Sequence, residues 1–183
     1  AALAWWSVRA MGHKDVADLN GGLPKWKAEG RALEAGPARQ RARTHFTPRV
    51  NAALVADRYD VKGYVSTGST QIIDARPAAR FRGEEAEPRP GLRMGHMPGA
   101  KNLPFAQLTN PDGTLKSAAE VQEAFAAAGV DTQGPMVTTC GSGVTASILS
   151  LALAAIGHPD VGVYDGSWAE WGQDNGLPVV DGA

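Results

Sequence analysis

The chain has 183 residues and a formal net charge of −1 at pH 7, with 43% hydrophobic and 20% charged residues. This composition is typical of a soluble globular protein with one well-filled domain and an appendage. The small net charge gives no electrostatic reason to expect nucleic acid or an anionic membrane as a partner, and no apolar run approaches the length of a membrane span. The single cysteine excludes an internal disulfide and a cysteine-based metal site. We expect no metal and no cofactor, and a reducing compartment such as the cytoplasm.

The beginning of the chain resembles its end. Six residues near the start recur at a constant offset of 145 positions, as from Gly12 to Gly157. The first copy has Gly12, His13, Asp15, Val16, Gly21 and Trp26, and the second has Gly157, His158, Asp160, Val161, Gly166 and Trp171. Each copy predicts the end of a helix, a Gly-His turn, a short strand, a glycine turn and a short tryptophan-bearing helix.

The repeat predicts two homologous domains, of which the first is represented only by its tail. We predict a C-terminal remnant of a non-catalytic first domain at residues 1–36, a linker at 37–49 and a complete catalytic domain at 50–183. The remnant cannot bury both of its faces by itself, so it must pack on the second domain or on a partner chain. The chain is then expected to be a piece of a longer two-domain protein, whose first part could remain bound as a separate chain.

The second domain alternates strand and helix signals. They predict a helix over 55–65, a strand at 71–74, a helix from Pro77 to Phe81, a strand at 100–103, a helix capped by Ser117 and Glu120, a strand at 136–139, a helix over 146–156, a strand at 162–164 and a helix at Trp168. This alternation predicts an α/β fold with a parallel sheet covered by helices on both faces. Functional sites of such folds lie at the carboxyl ends of the strands.

The cysteine stands at one of those ends. The strand at 136–139 runs into Cys140-Gly141-Ser142-Gly143-Val144-Thr145, and a helix follows. A strand, a tight glycine loop and a helix point successive backbone N–H groups inward and form an anion-binding nest. A cysteine at the mouth of this nest is expected to have its pKa lowered from about 8.5 and to react as a thiolate nucleophile. The alternative is a buried cysteine that acts as a small hydrophobe.

Four short motifs together resemble the rhodanese-like sulfurtransferase superfamily. They are Asp74-Ala75-Arg76, Gly95-His96-Met97-Pro98-Gly99-Ala100, the cysteine loop and Asp165-Gly166-Ser167-Trp168. The resemblance is closest to the two-domain 3-mercaptopyruvate sulfurtransferases, in which the loop reads Cys-Gly-Ser-Gly-Val-Thr-Ala as it does here. The thiosulfate sulfurtransferases typically have Arg-Lys at the positions of Gly141 and Ser142.

This resemblance implies a reaction. The Cys140 thiolate would attack the sulfur of 3-mercaptopyruvate, release pyruvate and become a persulfide, and a thiol such as thioredoxin, another dithiol or cyanide would accept the outer sulfur. The backbone N–H groups of the loop would stabilise the anions. They belong to Gly141, Ser142, Gly143, Val144 and Thr145. A neutral Gly141-Ser142 pair favours a monoanionic substrate over the thiosulfate dianion.

The resemblance also implies a pair of carboxylate-binding arginines, Arg80 and Arg89, within Arg80-Phe81-Arg82-Gly83 and Glu87-Pro88-Arg89. The planar guanidinium group suits bidentate binding of a carboxylate. His96 is predicted to belong to the scaffold. Asp74 and Arg76 are predicted to form an internal pair at the edge of the site.

Other functions remain open. A thiosulfate sulfurtransferase, a persulfide carrier without turnover and an inactive truncated module each fit a cysteine loop of this kind. The family's first domain contributes an aspartate and a histidine to the cleft, and their matching positions would precede residue 1, so the chain alone is expected to be weakly active if those groups matter. A cysteine phosphatase requires an arginine at the sixth position after the cysteine, where this chain has Ala146.

Overall fold

A parallel sheet of five strands organises the protein. The computed structural model describes residues 1–182. The strands are β1 (Val55–Ala56), β2 (Gln71–Asp74), β3 (Lys101–Asn102), β4 (Met136–Thr139) and β5 (Gly162–Tyr164), in the order β1-β5-β4-β2-β3. All of the paired strands run parallel. Because β4 is the central strand, the loop that follows it lies at the middle of the sheet's carboxyl edge.

Helices cover the sheet and connect its strands. They are α1 (Ala2–Ala10), α2 (Gly22–Ala28), α3 (Arg58–Thr67), α4 (Ala78–Phe81), α5 (Ala118–Ala127), α6 (Ala146–Ala155) and α7 (Ser167–Trp171), with short 3₁₀ turns at Ala52–Leu54 and Phe105–Leu108. Capping boxes start α3 and α5, and the second of these pairs Ser117 with Glu120 as predicted. Among the residues described, no helix is long and apolar enough to cross a membrane.

The sheet separates two hydrophobic cores. The larger core lies against α1, α5 and α6 and includes Val121, Phe125, Leu149 and Leu153. The smaller core lies against α3 and α7 and includes Val61 and Trp168. The predicted fold class, a parallel sheet covered by helices on both faces, is therefore confirmed. Burial of both faces explains why consecutive residues of β2 and β4, such as Ile72 and Ile73, are buried without an in-and-out alternation.

The N-terminal segment packs on the second domain. Trp5 and Trp6 of α1 belong to the larger core, and the indole Nε1–H of Trp6 donates to the carbonyl of Leu54 at 2.7 Å. Shifted by the repeat offset of 145 positions, α1 falls on α6 and α2 falls on α7. The helices of the repeat thus occur in both copies. The boundaries proposed for the domains remain a prediction.

One predicted helix starts later than expected, and one predicted strand is absent. The helix predicted over 55–65 begins only at Arg58, because β1 pairs with β5 and Asp57 then caps the helix. The strand predicted in the first copy of the repeat does not form, and residues 13–19 are irregular. A strand needs a neighbour for its backbone hydrogen bonds, and within residues 1–182 none runs beside this segment. Residues 31–49 form neither helix nor strand and are exposed, as expected of a linker.

Candidate active site

Cys140 lies directly after β4, beneath the loop that it begins. Cys140 is only 2% exposed, whereas the sequence predicts a cysteine at the mouth of the loop. The carbonyl of Cys140 accepts from the Trp168 amide at 2.9 Å, and the carbonyl of Gly141 accepts from the Ala169 amide at 3.0 Å. These bonds to the start of α7 draw the loop over the thiol, so a substrate must reach the sulfur through the loop's open side.

Ser167 holds the loop in place. Its buried hydroxyl accepts from the amide of Cys140 at 3.1 Å and from the amide of Gly143 at 3.0 Å, and it donates to the carbonyl of Tyr164 at 2.7 Å. Ser167 has a left-handed backbone, with φ of 49°. The motif Asp165-Gly166-Ser167-Trp168 does not by itself reveal this role of Ser167, because the two amides lie more than twenty positions away along the chain.

One backbone N–H group of the loop contacts the sulfur, and three others lack an acceptor among the described residues. The amide of Ser142 donates to Sγ of Cys140 at 3.4 Å. The amides of Gly141, Val144 and Thr145 have no protein acceptor within residues 1–182. The amide of Gly143 is occupied by Ser167 and does not face an anion, which corrects the expectation that all five loop amides would do so. Unpaired N–H groups beside a sulfur atom can stabilise negative charge on it.

Gly143 is required by the shape of the loop. Its φ is +79°, and a Cβ atom there would lie 2.6 Å from Oδ1 of Asp165. A side chain would therefore force apart the loop and the turn that precedes α7. The close approach of these two segments is what brings Ser167 under the loop.

The predicted arginines meet beside the loop. They lie on a cleft of about 190 Å³, which is lined by Arg80, Glu87, Pro88, Arg89, Leu92, Gly141 and Ser142. Nη1 of Arg89 donates to the carbonyl of Gly141 at 3.4 Å. Larger clefts lie elsewhere, including one of about 650 Å³ between the end of α1 and Arg49, but none of these contains a residue of the cysteine loop. We therefore select the candidate cleft because Gly141 and Ser142 line it and not because of its size; Cys140 itself lies behind them and does not line it.

A buried network of charges lies behind this cleft and reaches its lining through Glu87. The guanidinium of Arg76 donates to the carboxylate of Asp74 at 2.8 Å, to Glu87 at 2.7 Å and to the carbonyl of Gly95 at 2.9 Å, and it lies 4.1 Å from the ring centre of Trp168. Burial disfavours its charge, but the carboxylates of Asp74 and Glu87 outweigh that cost and raise the pKa of Arg76 above its ordinary value. The internal pair predicted for Asp74 and Arg76 is present.

Two further residues of the sequence motifs, His96 and Arg82, lie outside the cleft. His96 is buried, its Nδ1 is 2.8 Å from the carbonyl of Phe81, and its ring stacks on Phe81 with 3.8 Å between centres. These contacts agree with a scaffold role. Arg82 pairs with Glu84 at 2.7 Å on the exposed surface and does not line the cleft.

Residues 57–174 match the family model described as a rhodanese-like domain. The chain belongs to the rhodanese-like domain family. The crystal structure of SseA, a 3-mercaptopyruvate sulfotransferase from Escherichia coli, agrees with this assignment. It aligns with a TM-score of 0.79 and 41% sequence identity, and the match covers 91% of this chain and 62% of that chain.

Curated relatives carry names of two activities. The 3-mercaptopyruvate sulfurtransferase of Escherichia coli strain K12 is 44% identical over 98% of this rhodanese-like chain and 63% of its own length. The thiosulfate sulfurtransferase of Gallus gallus is 42% identical over 93% of this chain and 58% of its own length. The chain thus spans about three fifths of the length of these relatives.

Proposed function

We propose that this chain carries the sulfur-transfer site of a 3-mercaptopyruvate sulfurtransferase. The observation that carries the proposal is the position of Cys140 under a loop of N–H donors, next to a cleft that presents Arg80 and Arg89. A sulfur nucleophile and a binding site for a carboxylate are the two parts that a sulfur donor with a carboxylate requires. The names of the two Escherichia coli relatives, at 44% and 41% identity, support the same activity.

The first half-reaction forms a persulfide. The Cys140 thiolate attacks the sulfur of 3-mercaptopyruvate, a sulfur–sulfur bond forms, and the carbon–sulfur bond breaks. The electron pair of the broken bond passes to the enolate of pyruvate, which takes up a proton from solvent. A sulfur–sulfur bond of about 2.05 Å then carries the outer sulfur from the buried cysteine toward the cleft.

The second half-reaction returns the thiolate. A thiol acceptor such as thioredoxin or another dithiol attacks the outer sulfur, and the Cys140 thiolate leaves. Cyanide acts in the same way and becomes thiocyanate. The amides of Gly141, Ser142, Val144 and Thr145 stabilise the thiolate and the persulfide anion in turn, and this arrangement predicts ping-pong kinetics.

Replacing either cleft arginine is expected to weaken the use of 3-mercaptopyruvate. Arg80→Ala or Arg89→Ala removes a charged donor to the substrate carboxylate, and we expect kcat/KM to fall by about 10- to 100-fold, chiefly through KM. Steady-state rates of pyruvate formation measure the effect. Arg82→Ala is the matched control, because Arg82 comes from the same segment but pairs with Glu84 outside the cleft. Unchanged kinetics in both cleft variants would remove these arginines from the site.

Thiosulfate is the second candidate donor. The thiosulfate sulfurtransferase among the relatives favours it, and so does a cleft with two arginines. The neutral Gly141-Ser142 pair favours 3-mercaptopyruvate instead. We expect kcat/KM for 3-mercaptopyruvate to exceed that for thiosulfate by about 10-fold or more. Positive charges at positions 141 and 142 would attract a dianion more strongly than a monoanion, and this chain has a neutral pair there. Equal values would contradict the preference.

The proposal is tested by measuring pyruvate release from 3-mercaptopyruvate with a dithiol acceptor, together with the intact mass of the chain. We expect catalytic turnover and one added sulfur on Cys140 when the acceptor is omitted. One added sulfur without turnover would support a persulfide carrier, or an activity that needs groups outside this chain. No pyruvate and no mass change would refute sulfur transfer.

A further inference from the structure

The cleft contains a buried carboxylate that the sulfur transfer proposed above does not use. Glu87 lines the cleft together with Arg80 and Arg89, and its side chain is only 4% exposed. A carboxylate opposes the binding of an anion close to it. Glu87 therefore weakens the attraction that the two arginines alone would exert on a substrate.

The contacts of Glu87 show which positive charges its carboxylate offsets. Oε1 accepts from Nη1 of Arg76 at 2.7 Å, and Oε2 is 3.7 Å from Nη1 of Arg80. Arg76 is already paired with Asp74 at 2.8 Å. The row Asp74, Arg76, Glu87 and Arg80 thus contains two carboxylates and two guanidinium groups, and its net charge is zero.

Arg89 adds one positive charge beside this neutral row of side chains. Its Nη1 contacts the carbonyl of Gly141 at 3.4 Å. Within the described residues 1–182, no carboxylate forms an ion pair with Arg89. The wall of the cleft therefore carries one net positive charge, next to the loop that holds Cys140.

We propose that Glu87 is a specificity-determining residue that limits the cleft to one net positive charge and so favours monoanionic over dianionic sulfur donors. This inference rests on the proposed sulfur transfer and names the charge class of its donor. A monoanionic carboxylate such as 3-mercaptopyruvate matches the cleft charge. A dianion such as thiosulfate brings a surplus negative charge close to Glu87, and this repulsion selects against it.

The test is Glu87→Gln. The glutamine amide oxygen can still accept from Arg76, while the cleft charge rises from one to two. A monoanion gains one further unit of attraction and a dianion gains two, so the ratio of kcat/KM for thiosulfate to that for 3-mercaptopyruvate is expected to rise roughly 10-fold. Thiocyanate formation with cyanide as the acceptor measures both donors in one assay. High ionic strength should reduce this rise in the ratio, because salt screens interactions between charges but does not change the shape of the cleft.

Glu84→Gln is the matched control. Glu84 lies three positions earlier in the same segment and pairs with Arg82 on the surface, so its replacement changes the protein's net charge equally but leaves the cleft unaltered. We expect its donor ratio to equal that of the unaltered chain. An unchanged ratio in Glu87→Gln, or an equal rise in both variants, overturns the inference.

A comparison of anions on the unaltered chain requires neither substitution nor turnover. Pyruvate and sulfate represent the two charge classes, and their protection of Cys140 against alkylation by iodoacetamide is followed by intact mass. We expect pyruvate to protect at a lower concentration than sulfate, and stronger protection by sulfate overturns the inference. This result stands even if Glu87→Gln fails to fold. A chain that takes no sulfur from 3-mercaptopyruvate would refute the proposed function but would leave the order of anion binding as an independent result.

Discussion

Replacing Cys140 with serine is expected to abolish sulfur transfer. Serine has almost the volume of cysteine, but its hydroxyl is protonated at neutral pH and cannot form a persulfide. We expect turnover of 3-mercaptopyruvate to fall by at least about 10⁴-fold, an effect of the size seen when a covalent nucleophile is lost. Pyruvate release and intact mass after incubation with the donor measure it, and the mass should show no added sulfur.

The fold of this variant should persist. Cys140 is buried against the larger core, and the Ser142 amide that donates to its sulfur can equally donate to a hydroxyl oxygen. A melting temperature within a few degrees of the unaltered chain is the control for folding. Pyruvate release that survives in Cys140→Ser would contradict the proposed mechanism, because the chain has no other cysteine to carry the sulfur.

Removing the hydroxyl of Ser167 is expected to damage both stability and catalysis. Ser167→Ala leaves the buried amides of Cys140 and Gly143 and the carbonyl of Tyr164 without their partner. Each unpaired buried group costs about 1–3 kcal/mol, so for three groups we expect a loss of at least about 3 kcal/mol in the free energy of unfolding. For a chain of this length, that loss lowers the melting temperature by at least about 6 °C. Because the loop amides are no longer fixed around the sulfur, kcat should fall more than KM rises.

Two further substitutions separate the effect of the lost hydrogen bonds from the effect of backbone strain at Ser167. Ser167→Gly also loses the hydroxyl but relieves the left-handed conformation at φ of 49°, so it should lose less stability than Ser167→Ala and as much activity. Ser150→Ala is the control for burial, because Ser150 is a buried serine of α6 whose hydroxyl makes one long bond of 3.4 Å to the carbonyl of Val161. Full activity in Ser167→Ala would show that the loop keeps its shape without this hydroxyl.

The buried charges around Arg76 fit a site that is organised before substrate binds. Asp74 and Glu87 hold this guanidinium from two sides, and the ring of Trp168 covers it. A buried ion pair whose hydrogen bonds are satisfied fixes geometry more than it adds stability, and losing one partner leaves a buried charge unpaired. The network therefore positions Glu87, and through it Arg80, at the edge of the cleft.

Much of the fold was evident from local sequence patterns. The strand at 136–139 was predicted with its observed bounds, because a short apolar run between a proline and a glycine loop has few other uses in an α/β chain. The capping box of Ser117 and Glu120 located the start of α5 for an equally local reason. The helix predicted over 55–65 starts three residues late, at Arg58, because Val55 and Ala56 pair instead with β5, which lies over one hundred positions away.

The candidate site also combines features that the local sequence reveals with features that depend on tertiary contacts. The sequence by itself determined the glycine loop between a strand and a helix and marked its cysteine as the candidate nucleophile, because both depend on residue type and short-range spacing, while the two candidate arginines came from the resemblance to the family. Only the tertiary structure decided that Ser167 hydrogen-bonds to the loop, that Cys140 is buried and that Glu87 lies between Arg76 and Arg80. These features depend on contacts between segments that the fold of the sheet brings together. Hydrogen bonds and Coulomb interactions depend on distance in space, and distance along the chain does not reveal them.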